Sequence, residues 1–194
     1  MTDNKVAIGI VGCGNIAETY LEQITNYNNV HLVGLTDIVS ERAQELAAIY
    51  NCAVYPDLET MVADEKIDLV VNLTIHHVHA EIIEQILQAN KHVYTEKPLA
   101  MNYKDAKCLV DLAEKKNLRL SSAPITYMGE AQQTAAQQIA AGILGQIRLV
   151  YAEINHDRIE TWHPNPIPFF DVGVLWDVGI YALTVCTALM GSVK

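Results

Sequence analysis

The chain has 194 residues, 51% of them apolar, and a formal net charge of −10. That length holds one full domain and part of another. The acidic balance excludes a general nucleic-acid surface, which needs Lys and Arg in excess, and no apolar run reaches the ~20 residues of a membrane span.

The four cysteines, Cys13, Cys52, Cys108 and Cys186, lie far apart without CxxC spacing. That is a pattern of reduced thiols rather than of a disulfide framework or a zinc site. The polar N-terminus runs directly into a strand-like segment and shows no secretory pattern, so the expected location is cytoplasmic. In chain order, apolar runs at Val6–Val11, Val30–Thr36, Leu69–Thr74, His92–Thr95 and Arg119–Ser121 predict strands. Amphipathic stretches near Ile16–Tyr27, Ser40–Tyr50, His79–Ala89 and Tyr103–Lys116 predict helices between them. Asp57 is placed to cap a short helix at Leu58–Asp64, and Asn102 to cap the one that begins at Tyr103. Apolar strands separated by helices indicate an α/β fold with a doubly wound parallel sheet covered on both faces.

After about Pro124 the pattern changes. Tyr127–Ala141 is Gln/Ala-rich and helical, and Gln146–Ile154 alternates like a long strand. The stretch from Thr161 to Phe170 is a loop rich in Pro and aromatics, and Leu175–Met190 is an apolar helix. One strand and two helices do not make a sheet domain. The expected organisation is a dinucleotide-binding domain over 1–123, followed over 124–194 by the incomplete start of an α+β substrate domain. The chain is thus expected to be an N-terminal fragment.

The first strand is followed by Gly12-Cys13-Gly14-Asn15-Ile16-Ala17, a G-x-G-x-x-A. The first Gly permits a tight turn, the second lets the backbone approach a pyrophosphate, and the small Ala17 lets the helix pack on the strand. A pyrophosphate would then lie on the N–H groups of the helix N-terminus. The second strand ends in Asp37, whose carboxylate can accept bonds from both adenosine ribose hydroxyls and would repel a 2′-phosphate. Ile38, and not Arg, follows it, so NAD is expected over NADP, although Arg42 on the next helix could reach the same place.

The segment Thr95-Glu96-Lys97-Pro98-Leu99-Ala100 and the upstream Thr74-Ile75-His76-His77-Val78-His79 give the chain a resemblance. It resembles the glucose–fructose oxidoreductase/inositol dehydrogenase/rhizopine-catabolism (Gfo/Idh/MocA) family of NAD(P)-dependent oxidoreductases, from Val6 to Lys194. The family usually has Pro and Asn in the places of Ile75 and His76. The resemblance implies a Rossmann fold and cofactor contacts from Gly12, Gly14, Asn15, Ile16, Ala17, Asp37, Ile38, Leu73, Thr74, His76, His79, Glu96 and Lys97. It also implies that Lys97 lies beside the nicotinamide and the reacting hydroxyl, where a charged donor would steady a developing alkoxide.

Asp177 and Tyr181 match the family's helix motif, an Asp with His or Tyr four residues on. The i,i+4 spacing puts both on one helical face. Tyr at the second place resembles the branch of aldose and dihydrodiol dehydrogenases, which implies Tyr181 as general acid/base, assisted by Lys97, with Asp177 orienting substrate or lysine. Trp162 and His163 are candidates for nicotinamide or substrate contact. The histidines His76, His77 and His79 have no Cys or carboxylate beside them in the run, and no metal is expected. The expected function is hydride transfer at a secondary alcohol or carbonyl of a sugar, polyol or related compound, by a protein that forms homo-oligomers through its second domain. The alternative is a cofactor-binding regulator, or an inactive fragment that only binds NAD(P).

Overall fold

The computed structural model describes residues 5–155, 158–161, 163 and 165–191. Two compact units meet at Ala123 and Pro124.

The first unit contains β1 (Val6–Val11), α1 (Ala17–Ile24), β2 (Val30–Thr36), α2 (Ser40–Tyr50), β3 (Ala53–Val54), α3 (Leu58–Ala63) and β4 (Leu69–Asn72). It continues through α4 (His79–Gln88), β5 (His92–Thr95), α5 (Tyr103–Lys115) and β6 (Leu120–Ser122). The six strands form one sheet in the order β3-β2-β1-β4-β5-β6, with every neighbouring pair parallel. This is the doubly wound Rossmann fold. The chain turns from one half of the sheet to the other between β1 and β4, the switch point at which open α/β sheets generally bind ligands, outside the carboxyl ends of the strands.

Period-two alternation sends side chains to opposite faces. Ile8, Ile10, Leu35 and Val71 pack with Leu21 of α1 and with Ala43 and Leu46 of α2. On the other side Val11, Val70 and Val93 pack with Met61, Ile83, Ile86, Leu87 and Leu109 from α3, α4 and α5. The predicted caps are present. Asp57 accepts from the Thr60 N–H at 2.7 Å, and Asn102 from the Asp105 N–H at 2.9 Å.

The two-residue strand β3 is too short to show a period, and its place is betrayed only by Gly34. A Cβ there would come within 2.7 Å of the Ala53 carbonyl oxygen, so the edge strand can close on β2 only at a glycine. β4 stops at Asn72, two residues before the predicted Thr74. The Asn72 side chain takes the Thr74 N–H at 3.1 Å and leaves it no ladder role.

The second unit contains α6 (Glu130–Ala140), α7 (Ile167–Val172) and α8 (Ile180–Met190), with a π-helical turn over Leu175–Gly179. Two expectations are corrected here. The strand predicted at Gln146–Ile154 does not form. An extended segment becomes a strand only when another supplies partners for its N–H and C=O groups, and none of the described residues does so. The loop from Thr161 to Phe170 contains the start of α7, which begins after Pro166 with a further proline in its first turn. Proline is tolerated there because the first helical N–H groups have no intrahelical acceptor. No helix of the described residues is long and apolar enough to cross a membrane.

Candidate functional site

Strand register lines up one row across the carboxyl edge of the sheet: Thr36, Val11, Asn72, Thr95 and Ser122 are successive Cα partners. The loops that leave this row carry Asp37, the glycine turn, Leu73-Thr74 and Glu96-Lys97. Residues separated by most of the first unit's sequence are thereby brought to one edge.

The glycine turn is sterically dictated. Gly12 has φ +96°, and a Cβ on it would lie 2.7 Å from the Leu73 carbonyl carbon and oxygen. Gly14 differs, because a Cβ there would meet nothing within 4 Å. The space over Gly14 is open at the start of α1, whose N-cap Ile16 offers no side-chain bond to the first N–H groups. Those donors, and the open approach above them, fit a pyrophosphate. Ala17 is fully buried and seats α1 on the sheet, whereas Asn15 and Ile16 are exposed at the turn.

Asp37 is held by two main-chain donors. Its Oδ2 accepts from the Cys13 N–H at 2.6 Å and its Oδ1 from the Val39 N–H at 2.8 Å. This fixes the carboxylate beside the phosphate turn with lone pairs to spare. Ile38 beside it is fully exposed at 103%, an apolar face in the open next to the carboxylate. The Cys13 thiol is pushed up to about 12 by burial first and then by the charge of Asp37, with a further contribution from Cys52 and an opposing one from Arg42. It stays a thiol, and no nucleophilic role follows.

Around β4 and β5 the side chains form a second network. Asn72 and Thr95 are fully buried, and the Asn72 amide donates to Thr95 Oγ1 at 3.1 Å. Asn72 Oδ1 also accepts from the Thr74 hydroxyl at 2.6 Å. Glu96 is gripped at both oxygens, Oε1 by the Tyr20 hydroxyl at 2.6 Å and Oε2 by the Lys97 N–H at 3.0 Å. Burial, then the bond to Glu96, raises the Tyr20 phenol far above its ordinary value, so it remains a donor. Tyr20 lies on α1, so the phosphate helix and the Lys97 loop are joined through one carboxylate. Lys97 itself is half-buried, and the Lys97–Pro98 peptide is cis.

Two residues expected to contact the cofactor, His79 and Leu73, have buried side chains. His79 is 1% exposed, and its ring nitrogens face main-chain carbonyls. The Leu73 side chain is in the core at 5%, so only its backbone borders the glycine turn. The His76 and His77 rings lie 4.2 Å apart between centroids and are tilted at 48° to one another, and among the described residues no His/Cys/Asp/Glu group has the makings of a metal site.

In the second unit Asp177 lies in the π-helical turn and Tyr181 in the first turn of α8, so the predicted single α-helix from Leu175 is instead two helical geometries. Such π-turns occur often at functional sites. His163 is half-buried, its ring edge-on to Phe169 at 4.7 Å and its Nδ1 accepting from the Asn165 N–H at 3.1 Å. Trp162 lies outside the described residues.

Three residues in this region escaped the sequence reading: Asn72, Thr95 and Tyr20. Asn72 had a signal, being the one strongly polar residue in the run Leu69-Val70-Val71-Asn72 and placed at its end. Thr95 stood at the head of the Thr95–Ala100 motif but reads as an ordinary strand residue, and Tyr20 had no signal, an amphipathic-helix aromatic being ordinary.

Residues 6–123 match the model of the GFO/IDH/MocA family, described as an oxidoreductase family with an NAD-binding Rossmann fold. An uncharacterized oxidoreductase of Schizosaccharomyces pombe is 31% identical over 176 residues, covering 89% of this chain and 47% of that protein. The dTDP-3,4-didehydro-2,6-dideoxy-alpha-D-glucose 3-reductase of Streptomyces violaceoruber is 27% identical, with 98% and 56% covered. The chain thus spans about half the length of the curated relatives it matches. Among solved structures, the WlbA dehydrogenase of Bordetella pertussis, in complex with NADH and UDP-GlcNAcA, superposes with a TM-score of 0.89 over 98% of this chain and 59% of its own. At 22% identity that likeness speaks to the fold. With its glycine turn, its sheet order and a family match across the first unit, the chain belongs to the GFO/IDH/MocA oxidoreductases and carries their NAD-binding Rossmann domain.

Proposed function

We propose that the chain is part of an NAD-preferring oxidoreductase that acts at a CH–OH or carbonyl carbon of a sugar, polyol or sugar nucleotide. The observation that carries the reading is the carboxyl edge of the sheet. There the open turn at Gly14, the doubly held Asp37 and the Lys97 loop follow β1, β2 and β5 of one sheet. Bound NAD supplies the hydride acceptor. Asp37 accepts the adenosine ribose hydroxyls, and its charge disfavours a 2′-phosphate. The exposed Ile38 offers its apolar face to the adenine, and Thr74, His76 and Glu96 border the nicotinamide side. Lys97 steadies negative charge on the substrate oxygen.

Tyr181 is the proposed general acid/base, as in the tyrosine-bearing branch of the family, and Asp177 the residue that orients substrate. Their i,i+4 spacing supports the pairing. His163 and Trp162 are proposed to contact substrate or nicotinamide. Exposed apolar side chains in the second unit, such as Leu149, Tyr151 and Leu183, support self-association through that unit.

The test titrates the chain with NADH and NADPH, then assays NAD reduction on myo-inositol, glucose and UDP-N-acetylglucosamine. NADH is expected to bind more tightly. In a full-length version of the protein, Lys97→Met and Tyr181→Phe are each expected to lower turnover by about 10²–10⁴-fold, the range of general acid–base catalysis, while NADH affinity changes by about threefold at most. Tighter binding of NADPH would overturn the role given to Asp37. Normal turnover in Tyr181→Phe would remove Tyr181 from the chemistry.

A further inference from the structure

His79 begins α4, and its ring is 1% exposed. Nδ1 lies 2.7 Å from the carbonyl oxygen of Pro98, and Nε2 lies 2.9 Å from that of Thr74. One buried ring therefore bridges the loops that follow β4 and β5. The Thr74 loop is already anchored, because Asn72 Oδ1 accepts both the Thr74 N–H and its hydroxyl. The Lys97 loop is held on its N-terminal side, where Glu96 accepts the Lys97 N–H. Its C-terminal side is held at Pro98, the residue after Lys97, and the side chain that reaches the Pro98 carbonyl is His79.

The sequence reading placed His79 against the cofactor. Its burial between two main-chain carbonyls points to a further part. We propose that His79 is a positioning residue for Lys97: its Nδ1 edge holds the carbonyl of Pro98 and so fixes where the Lys97 backbone stands relative to the Thr74 loop. This rests on the reading of Lys97 as the group that steadies charge on the substrate oxygen. The bond matters because a reacting group displaced by about 1 Å can lose on the order of 10²-fold in rate. Removing one partner also leaves a buried carbonyl without a donor.

The two edges of the ring can be tested separately. The amide nitrogen of Asn stands where Nδ1 stands, and that of Gln where Nε2 stands. His79→Asn thus retains a donor for Pro98 and abandons Thr74, whereas His79→Gln does the reverse. The two variants keep a donor at opposite edges of the ring, so a merely structural role predicts no link between the edge kept and the property that changes. Positioning predicts a crossed pattern in the full chain. In His79→Gln, backbone hydrogen exchange over 95–100 rises about tenfold, and kcat falls about tenfold or more with the smaller change in NADH affinity. In His79→Asn, exchange rises over 73–78 instead, and NADH affinity weakens about three- to tenfold with the smaller change in kcat.

Equal exchange and equal kcat in the two variants would overturn the proposal, as would wild-type exchange over 95–100 in His79→Gln. Should the Gln variant fail to fold, the wild-type ring decides. A slowly exchanging Nδ1–H resonance in the nitrogen-15 spectrum supports the bond to Pro98, and its absence overturns it. A wild-type chain that binds NADH without turning over any compound of the panel would sink the reading of Lys97, and the exchange pattern would still decide whether His79 holds the loop.

Discussion

The two units solve the burial problem to different degrees. In the first, a six-stranded sheet is packed on both faces, and Ile10, Leu21, Leu35, Ile83, Ile86 and Leu87 are fully buried. In the second, beyond Pro124 at the junction, Val172 is the only buried residue among those described, although α8 reads Ile-Tyr-Ala-Leu-Thr-Val-Cys-Thr-Ala-Leu-Met. The difference bears on the site. Asp37, Glu96 and Thr74 are held by bonds that a rigid sheet edge keeps at fixed separations. Asp177 and Tyr181 ride on helices that bury no side chain fully. The first unit holds Asp37, Glu96 and Thr74 ready made, whereas the described residues of the second unit are mostly exposed or half-buried.

The sharpest way to break this contrast is native-state hydrogen exchange. Backbone amides of β1 and β4 open only with the whole unit and are expected to be protected about 10³-fold or more. Amides of α8 are expected within about tenfold of unprotected rates, because a helix of this length is marginal without packing. Equal protection in β4 and α8 would abolish the distinction. Cavity-making substitutions follow in size. Leu21→Ala is expected to lower the stability of the first unit by about 2–5 kcal/mol, and Leu183→Ala, at a half-exposed position, to change stability by about 0.5 kcal/mol or less. Denaturant unfolding followed by Tyr20 and its aromatic neighbours in the first unit would compare the two.

What the sequence made legible follows the same line. The strands and helices of the first unit were readable because each presents a period of two or 3.6 to a real core, and because Asp57 and Asn102 cap where they stand. The cofactor turn was readable because Gly12 and Gly14 do distinct steric tasks. The strand at Gln146–Ile154 was read from the period-two row of Ile147, Leu149 and Tyr151 set against Gln146 and Arg148, but alternation reports only a readiness to pair. The start of α7 was hidden because prolines that end helices also begin them. Asn72, Tyr20 and His79 act through contacts between residues far apart in the chain, and a local pattern does not encode which carbonyl a buried histidine will meet.

Within the first unit, the assignment of dinucleotide binding to the sheet edge makes a smaller, specific prediction. Asp37→Ala removes an ionised acceptor worth about 1.5–3 kcal/mol in bonds to charged groups, and should weaken NADH binding about 10- to 100-fold while narrowing the gap to NADPH. Asp177→Ala, in the second unit, should leave NADH affinity within about threefold in the same fluorescence titration. Comparable losses from both would mean that dinucleotide binding is shared between the units and that the contrast is drawn in the wrong place.

The smallest expected effect concerns pH, and it compares one ionisable pair from each unit. In the first, the Tyr55 hydroxyl donates to Asp64 Oδ2 at 2.6 Å, joining the segment after β3 to the end of α3. Burial first and this bond second push the Tyr55 phenol up to about 12. The same bond, with the Lys66 N–H and the charges of Lys66 and Lys91, holds Asp64 below its ordinary value. A raised phenol contributes stability that is complete below its unfolded value near 10 and disappears as pH rises through the folded one. Unfolding midpoints should therefore fall between about pH 10 and 12. A depressed carboxylate contributes stability that is complete above about pH 4 and is lost as pH falls through its folded value. Tyr55→Phe should flatten part of the alkaline fall, the remainder being shared by Tyr20, Tyr50 and Tyr94 and by the thiols of Cys13 and Cys52, all of them also raised. It should also reduce the acid loss, leaving what Lys66 and Lys91 sustain. In the second unit Glu153 is likewise held below its ordinary value, by bonds from Asn155 first and then Tyr151. Those bonds are local and exposed, on a segment that pairs with no strand, so Glu153→Gln should leave the acid limb unchanged. A Glu153→Gln variant that moved the acid midpoint as far as Tyr55→Phe does would show that residues 146–155 unfold together with the first unit.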